Sequence, residues 1–318
     1  MADGHVVALS GGVGGAKLAL GLSRILPPDR LTIVANTGDD FTHLGLTICP
    51  DLDTVMYTLA DLSNKEAGWG LAGESWNFLD ALSALGGEDW FRLGDRDLAT
   101  HITRTRWLAE GRSLSTVTGD LCRRLGVAHP IVPMSDDPVP TIVELKDGGD
   151  LAFQHYFVRD QCEPVVAGFR FEGIERAAPA AGFADALARS DLDCVVICPS
   201  NPFVSVDPVL KLPGVQAALD GSDAPVVAVS PIVGGQALKG PAAKMMDELG
   251  MPRDPVSVAR HYAGRIDGLV IDEADPDSAD SVREAGPAAT VTQTVMVTLA
   301  DREQLARDTL AFAASLRA

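Results

Sequence analysis

Short, almost unbroken apolar runs recur along this chain with helical stretches between them, and that alternation restricts the fold more than any other feature. Cys194-Val195-Val196-Ile197-Cys198, Pro225-Val226-Val227-Ala228-Val229 and Gly268-Leu269-Val270-Ile271 carry no charged or hydroxyl side chain. A strand with one wet face alternates polar and apolar residues, so a continuous run marks a strand covered on both faces, as in a parallel sheet. Parallel strands need crossovers, and residues 183–188, 215–219, 242–249 and 256–263 show helical spacing between the runs, with a closing helix over about 302–316. The fold class is therefore α/β: a Rossmann-like, doubly wound, mostly parallel sheet whose ligands bind at the carboxyl ends of the strands.

The first half opens in the same way. His5-Val6-Val7-Ala8-Leu9-Ser10 reads as a strand that runs into Gly11-Gly12-Val13-Gly14-Gly15-Ala16-Lys17, followed by an amphipathic helix over 18–26. Glycines let backbone N–H groups approach an anion, and the helix behind them aims its partial positive end at the same place. The dinucleotide fingerprint fails at Lys17, and the Walker Gly-Lys-Ser/Thr ending is missing. A glycine-rich turn that only lets a helix pack closely on its strand is the competing reading.

A second strand, 31–36, ends in Thr37-Gly38-Asp39-Asp40. From 51 to 126 the period changes, with Leu52, Val55, Met56, Leu59 and Leu62, then Phe78, Leu79, Leu82 and Leu85, recurring at helical spacing. Residues 1–50 and 127–318 thus form the Rossmann-like core and 51–126 a helical insertion. Strand signals return at 129–133 and in a β-hairpin of 141–145 with 151–157 about Asp147-Gly148-Gly149.

Four polar loops follow strand ends: Ser10 to Lys17, Asn36 to Asp40, Pro199-Ser200-Asn201-Pro202, and Ser230-Pro231-Ile232-Val233-Gly234-Gly235. Each alone is an ordinary turn, but in a parallel sheet all four lie on one side and can form a single phosphate-binding cleft. Pro-Ser-Asn-Pro is the most restrictive, since two prolines fix the chain on either side of the Ser-Asn pair. The net charge of −18 excludes a general nucleic-acid binder. An acidic chain that binds phosphate needs a cation at the site, which directs attention to Asp39, Asp40, Asp51 and Asp53 as carboxylates near glycine loops. Asp40, Asp51 and Asp53 are candidate ligands for Mg2+, which uses few protein groups. Helix capping is the plainer role for Asp53.

Leu93-Gly94-Asp95-Arg96-Asp97-Leu98-Ala99-Thr100-His101 holds an arginine between two aspartates, either a surface ion pair or a group oriented toward a planar polar ligand. Trp69, Trp76, Trp90 and Trp107 share the same insertion, at least two of them expected in the core. No apolar run approaches membrane-spanning length and no secretory signal opens the chain. Five cysteines without a Cys-x-x-Cys pair point to a reducing, cytoplasmic setting, with Cys194 and Cys198 packed on one face of a strand.

Taken together, Ser-Gly-Gly-Val-Gly-Gly-Ala-Lys at 10–17, Asn-Thr-Gly-Asp-Asp at 36–40, Pro-Asp-Leu-Asp-Thr at 50–54, the 93–101 run, Pro-Ser-Asn-Pro at 199–202 and Ser-Pro-Ile-Val-Gly-Gly at 230–235 resemble the 2-phospho-L-lactate transferase family of deazaflavin coenzyme F-420 biosynthesis. The resemblance runs in order along nearly the whole chain. It implies a Rossmann-like core with a helical insertion. It also implies transfer of a phosphorylated three-carbon acid (phospholactyl, phosphoenolpyruvyl or phosphoglyceryl) from a GDP-linked donor to the ribityl hydroxyl of 7,8-didemethyl-8-hydroxy-5-deazariboflavin (FO). GMP is released, Mg2+ is present, and a homodimer is expected. By the same carry-over Asp51 and Arg96 match acceptor positions, and His101 is placed with them. The donor is assigned to Gly12, Gly14, Gly15, Lys17, Asn36, Ser200, Asn201, Ser230, Gly234 and Gly235. Asp51 is the candidate catalytic group, orienting the attacking hydroxyl. The alternative is a non-catalytic regulatory protein that binds a nucleotide-sugar, a distant relative sharing the glycine-rich opening but carrying Gly-Pro-Gly-Ser in place of Pro-Ser-Asn-Pro. A nicotinamide oxidoreductase is weakened by Asn36, which stands where an acidic residue would hold the ribose.

Overall fold

The structure, a computed structural model, describes residues 4–238 and 240–317. Seven strands form the central sheet: β1 (His5–Ser10), β2 (Leu31–Ala35), β3 (Ile131–Pro133), β4 (Leu192–Ile197), β5 (Val226–Val229), β6 (Gly268–Asp272) and β7 (Ala288–Thr292). Their order is β7-β6-β5-β4-β1-β2-β3, and every neighbouring pair is parallel. The chain winds outward from β1 through β2 to β3, then returns to β4 and winds the other way. The reversal lies between β1 and β4, so the crevice of a doubly wound sheet opens beyond the ends of those two strands.

Alternate residues of the sheet feed two separate cores. Val7, Leu9, Val195, Ile197, Ala228 and Leu269 enter one, while Val6, Ala8, Cys194, Val196, Val227 and Val270 enter the other. This two-sided burial is why the strands read as unbroken apolar runs. Cys194 and Cys198 share the second core as free thiols, their pKa pushed up to about 12 by burial.

The second core is covered by α1 (Val13–Ile25), α2 (Pro50–Leu59) and the C-terminal helix Leu299–Ser315, which opens with a reciprocal cap between Thr298 and Asp301. Helices α3 (Asn77–Ala84), α4 (Asp95–Ala109) and α5 (Leu114–Arg124) complete the helical stretch. Of its four helices, α2 lies in the core layer beside α1, with Leu52, Val55, Met56 and Tyr57 buried. None of the four tryptophans is fully buried, contrary to expectation. Trp69 is exposed, and Trp76 and Trp107 are stacked under the guanidinium groups of Arg92 and Arg112.

Other departures have local causes. Helix α1 begins at Val13, inside the glycine run rather than at 18. Strand Thr141–Leu145 pairs with Asp150–Ala152 as a hairpin, but the chain then leaves the sheet for a wide helical turn at His155–Arg159. Phe153 and Tyr156 are both buried, and a spacing of three turns both inward only in a helix. The other edge of Thr141–Leu145 is taken by Val166–Phe171, antiparallel, a strand the sequence did not suggest. No helix among the described residues is long and apolar enough to cross a membrane.

Candidate active site

At the end of β1 the chain turns so tightly that side chains are excluded. A Cβ on Gly14 would lie 2.3 Å from the Pro199 carbonyl oxygen, and one on Gly15 2.5 Å from Ser10 Oγ and 2.7 Å from Ser200 Oγ. The Gly11 N–H donates to Ser200 Oγ at 3.0 Å, locking this turn to the loop after β4. The packing role of the glycines is therefore real, and an anion-binding role is compatible with it. Helix α1 starts with no side-chain cap and no acidic residue in its first turn, leaving its positive end open toward the crevice.

Asn36 links this turn to the acidic residues. It is fully buried at the end of β2; its Oδ1 accepts from the Gly38 N–H at 2.8 Å and its Nδ2 donates to Asp51 Oδ2 at 2.9 Å. An amide can donate and accept at once, which a carboxylate in that place could not. Asp51 sits in the first turn of α2, with Oδ1 so close to Gly12 that a Cβ there would come within 2.6 Å. Burial pushes the Asp51 carboxyl up to about 7, opposed by the Asn36 hydrogen bond. Asp39, bonded by Gln154 Nε2 at 3.2 Å, is raised well above the carboxylate range by burial and then by the charge of Asp51. Asp40 is raised likewise by burial, against a hydrogen bond from Cys49, and its Oδ1 is buried without a partner.

Asp53 has a different fate from the one expected of a metal ligand. Arg104, 1% exposed, grips both of its oxygens, Nη1 donating to Oδ2 at 3.0 Å and Nη2 to Oδ1. Burial works against the charge of Arg104, and Asp53 outweighs it and holds the guanidinium firmly protonated. His101 is also corrected. It is 2% exposed, with Nδ1 3.3 Å from Arg104 Nη1 and Nε2 3.3 Å from Asp97 Oδ2, so its ring belongs to this buried network and not to an acceptor surface. Tyr57 donates to Asp97 Oδ1 at 2.6 Å; burial opposes the charge of Asp97, but hydrogen bonds from His101 and Tyr57 hold its carboxyl below the ordinary value. Arg104 went unread in the sequence, although Asp97, His101 and Arg104 at i, i+4 and i+7 form a polar stripe on one face of α4.

The remaining expected residues are scattered. Arg96 is exposed; its N–H is held by Glu74, which caps α4, and its guanidinium donates to the Ala72 carbonyl at 2.5 Å. Lys17 Nζ donates to the Met296 carbonyl at 3.2 Å. Asn201 Oδ1 accepts from the Phe203 N–H at 3.0 Å, starting a helical turn. Ser230 Oγ closes on Ile232, and Gly234 and Gly235, at φ +56° and +75°, form the two-residue turn of the hairpin Ile232–Val233 with Gln236–Ala237. Both glycines are needed there for the turn itself. The structure thus brings together Gly11 to Gly15, Asn36, Asp39, Asp40, Asp51 and Ser200. Among the described residues no group of three or more His, Cys, Asp or Glu side chains is arranged to hold a metal ion.

Residues 6–311 match the family model described as 2-phospho-L-lactate transferase CofD. Similar curated proteins carry the name phosphoenolpyruvate transferase. The protein from Streptomyces coelicolor is 40% identical over 318 residues, covering 98% of this chain and 99% of that protein. The one from Thermobifida fusca is 41% identical over 287 residues, 86% of this chain and 88% of that protein. A mycobacterial one, from Mycobacterium sp. strain KMS, is 39% identical over 307 residues, 89% and 92% respectively. In three dimensions the chain resembles a member of the upf0052 family from Bacillus halodurans, with a TM-score of 0.62 over 98% of this chain and 99% of that one at 16% identity. At that identity the likeness speaks for the fold alone.

Proposed function

Because the chain belongs to the 2-phospho-L-lactate transferase CofD family, we propose that it moves a phosphoenolpyruvyl group from a guanosine diphosphate-linked donor to the ribityl hydroxyl of FO and releases GMP. The choice of phosphoenolpyruvyl among the three-carbon acids rests on the names of the relatives. The observation that carries the chemistry is the placement of Asp51 Oδ1 directly against Gly12, at the open end of α1.

In this reading the diphosphate lies over the glycine turn, where backbone N–H groups and the helix end hold the oxygens that gain charge. The ribityl oxygen attacks the phosphorus that carries the three-carbon acid. A new O–P bond forms as the bond from that phosphorus to the bridging oxygen breaks, and GMP leaves with the bridging oxygen. The hydroxyl proton passes to Asp51, whose carboxyl, pushed up to about 7, is matched to accepting it near neutral pH. Asn36 holds Asp51 in place by its 2.9 Å hydrogen bond and touches no reacting atom. Positioning and charge stabilisation supply most of the barrier reduction in such transfers.

Mg2+ fits the residues in one respect and not in another. Asp40 offers a buried oxygen with no protein partner, whereas both oxygens of Asp53 are occupied by Arg104. Mg2+ keeps several waters and takes one or two carboxylates plus substrate phosphates, so Asp40 would hold it, leaving Asp51 for the proton. When bound, the ion neutralises diphosphate charge.

The test is turnover with purified protein, FO, Mg2+ and either the phosphoenolpyruvyl or the phospholactyl donor, read by mass spectrometry of the product and by GMP release. The phosphoenolpyruvyl adduct of FO should appear mole for mole with GMP. Unchanged FO with both donors at stoichiometric enzyme would overturn the reading.

A further inference from the structure

Helix α2 is fastened to α4 at two points along one face. Asp53 meets Arg104 through both oxygens, and Tyr57, one turn further on, donates to Asp97 Oδ1 at 2.6 Å. Residues 53 and 57 are at i and i+4, so both fastenings lie on the same side of α2. Asp51 is two residues before Asp53, about 200° round the helix axis, and therefore points away from that side. Its Oδ1 lies against Gly12 and its Oδ2 accepts from Asn36. One face of α2 is thus clamped while another presents the reacting carboxylate.

Arg104 does more than pair with Asp53. The Nη1 that donates to Asp53 Oδ2 at 3.0 Å is also 3.4 Å from the Thr47 carbonyl oxygen, and the adjacent Thr105 Oγ1 accepts from the Thr47 N–H at 2.7 Å. Thr47 belongs to the short strand Leu46–Ile48, from which the chain passes through Cys49 straight into α2. Helix α4 therefore holds the chain on both sides of Asp51, at 47 and at 53. Between those points α2 opens at Pro50 with no side chain capping it, so its first turn takes its polar support from this clamp.

We infer that Arg104 is a positioning residue for the reaction: through Asp53 and the Thr47 carbonyl it holds the first turn of α2 so that the Asp51 carboxylate stays against Gly12, and it touches neither substrate. The inference rests on the function proposed above, in which Asp51 accepts the hydroxyl proton. A planar guanidinium gripping both carboxylate oxygens fixes orientation as well as distance, which a single-point ion pair cannot do. A displacement of about 1 Å can cost about 10²-fold in rate, so a support remote from the reacting atoms still acts on the chemical step. The seat of the donor is secured separately, by the bond from the Gly11 N–H to Ser200 Oγ. Loss of the clamp should therefore lower kcat and leave substrate binding nearly as it is.

The experiment measures melting temperature and steady-state turnover of FO with the phosphoenolpyruvyl donor and Mg2+, for wild type, Arg104→Lys and a double variant combining Arg104→Met with Asp53→Leu. All are assayed well below their melting temperatures. The double variant exchanges the buried ion pair for an apolar one and should melt close to wild type. Its kcat should still fall about 10²-fold, with both KM values within about three-fold. Arg104→Lys keeps the charge but not the fork, and should lose about ten-fold in kcat with the same small change in KM. A role confined to stability gives a different pattern, wild-type kcat wherever the melting temperature is restored. Full kcat in a double variant of restored stability, or a loss carried by KM alone, overturns the inference while the proposed function stands. If the double variant stays unstable, Arg104→Lys decides, and a kcat within about two-fold of wild type overturns the inference. Wild type without turnover overturns the proposed function, and the inference falls with it.

Discussion

Asp51 and Asp53 stand two residues apart in the first turn of α2, are 7% and 5% exposed, and have opposite electrostatic surroundings. Asp53 is gripped through both oxygens by Arg104, and the pair is extended by His101, Asp97 and Tyr57 into a buried network that ties α2 to α4. Among the described residues Asp51 has no cation beside it: it meets the neutral Asn36 amide and the start of α1 at Gly12, with Asp39 and Asp40 nearby to repel it. Burial of a carboxylate therefore does not itself mark a reactive group. The absence of a counter-charge does, because a buried acid left without a cation keeps its proton to higher pH and is held in a state that folding alone does not favour.

If that contrast is right, Asp51→Asn costs activity and returns stability. Turnover should fall by about 10²–10⁴-fold, the usual contribution of a positioned base. Full turnover with both substrates saturating would break the comparison. The stability gain has a defined pH window. The folded carboxyl titrates at about 7 and an unfolded one near the ordinary 3.8, so the native state holds the proton more tightly. Wild type then loses stability relative to the Asp51→Asn variant as pH rises from about 4 to about 7, with no further change above. The stability gap between the two proteins, measured by denaturant melts, should change by on the order of 3 kcal/mol between about pH 4.5 and about pH 8, in favour of the variant at the higher pH.

The converse holds on the other side. Arg104→Met leaves Asp53 charged, buried and alone, and should destabilise the fold by about 3–5 kcal/mol in urea unfolding. Adding Asp53→Leu should recover most of that loss, since an apolar pair of similar volume is often as stable as a buried ion pair. A double variant no more stable than Arg104→Met would mean that the network holds α2 through packing rather than charge.

The same contrast explains how far the sequence could be read. Strands β4, β5 and β6 were legible because burial on both faces leaves an unbroken apolar run, which no turn or surface helix produces. β7 escaped because Ala-Ala-Thr-Val-Thr forms an edge strand with one partner, in which Ala289 alone is fully buried and Val291 is exposed, so no apolar run or clean alternation marks it. The glycine turn and Asn36 were legible because loops after parallel strands must converge at one edge, whereas Asp51, at the start of α2, was legible only as an acidic residue close in sequence to Asp39 and Asp40 and as part of the family motif. The fate of Asp53 was not, because its partner lies 51 residues further along the chain and local spacing says nothing about which distant cation arrives. His101 illustrates the same limit: next to Arg96 in a polar run it reads as part of a surface site, yet helix geometry turns the two onto different faces of α4, one buried and one exposed.

Arg96 gives the smallest effect and the finest test. Its side chain is exposed and its guanidinium bonds to the Ala72 carbonyl, so Arg96→Ala should alter stability by less than about 0.5 kcal/mol. Because folding is left intact, any change in acceptor affinity reports contact with the acceptor directly. An exposed guanidinium at the rim of a site contributes up to about 1 kcal/mol, which predicts roughly a two- to five-fold rise in the KM for FO at most, with kcat unchanged. A loss well beyond ten-fold would reverse the division drawn here. It would mean that the acceptor lies against the exposed start of α4, so that the helix whose buried face holds Asp53 through Arg104 also carries part of the site on its outer face.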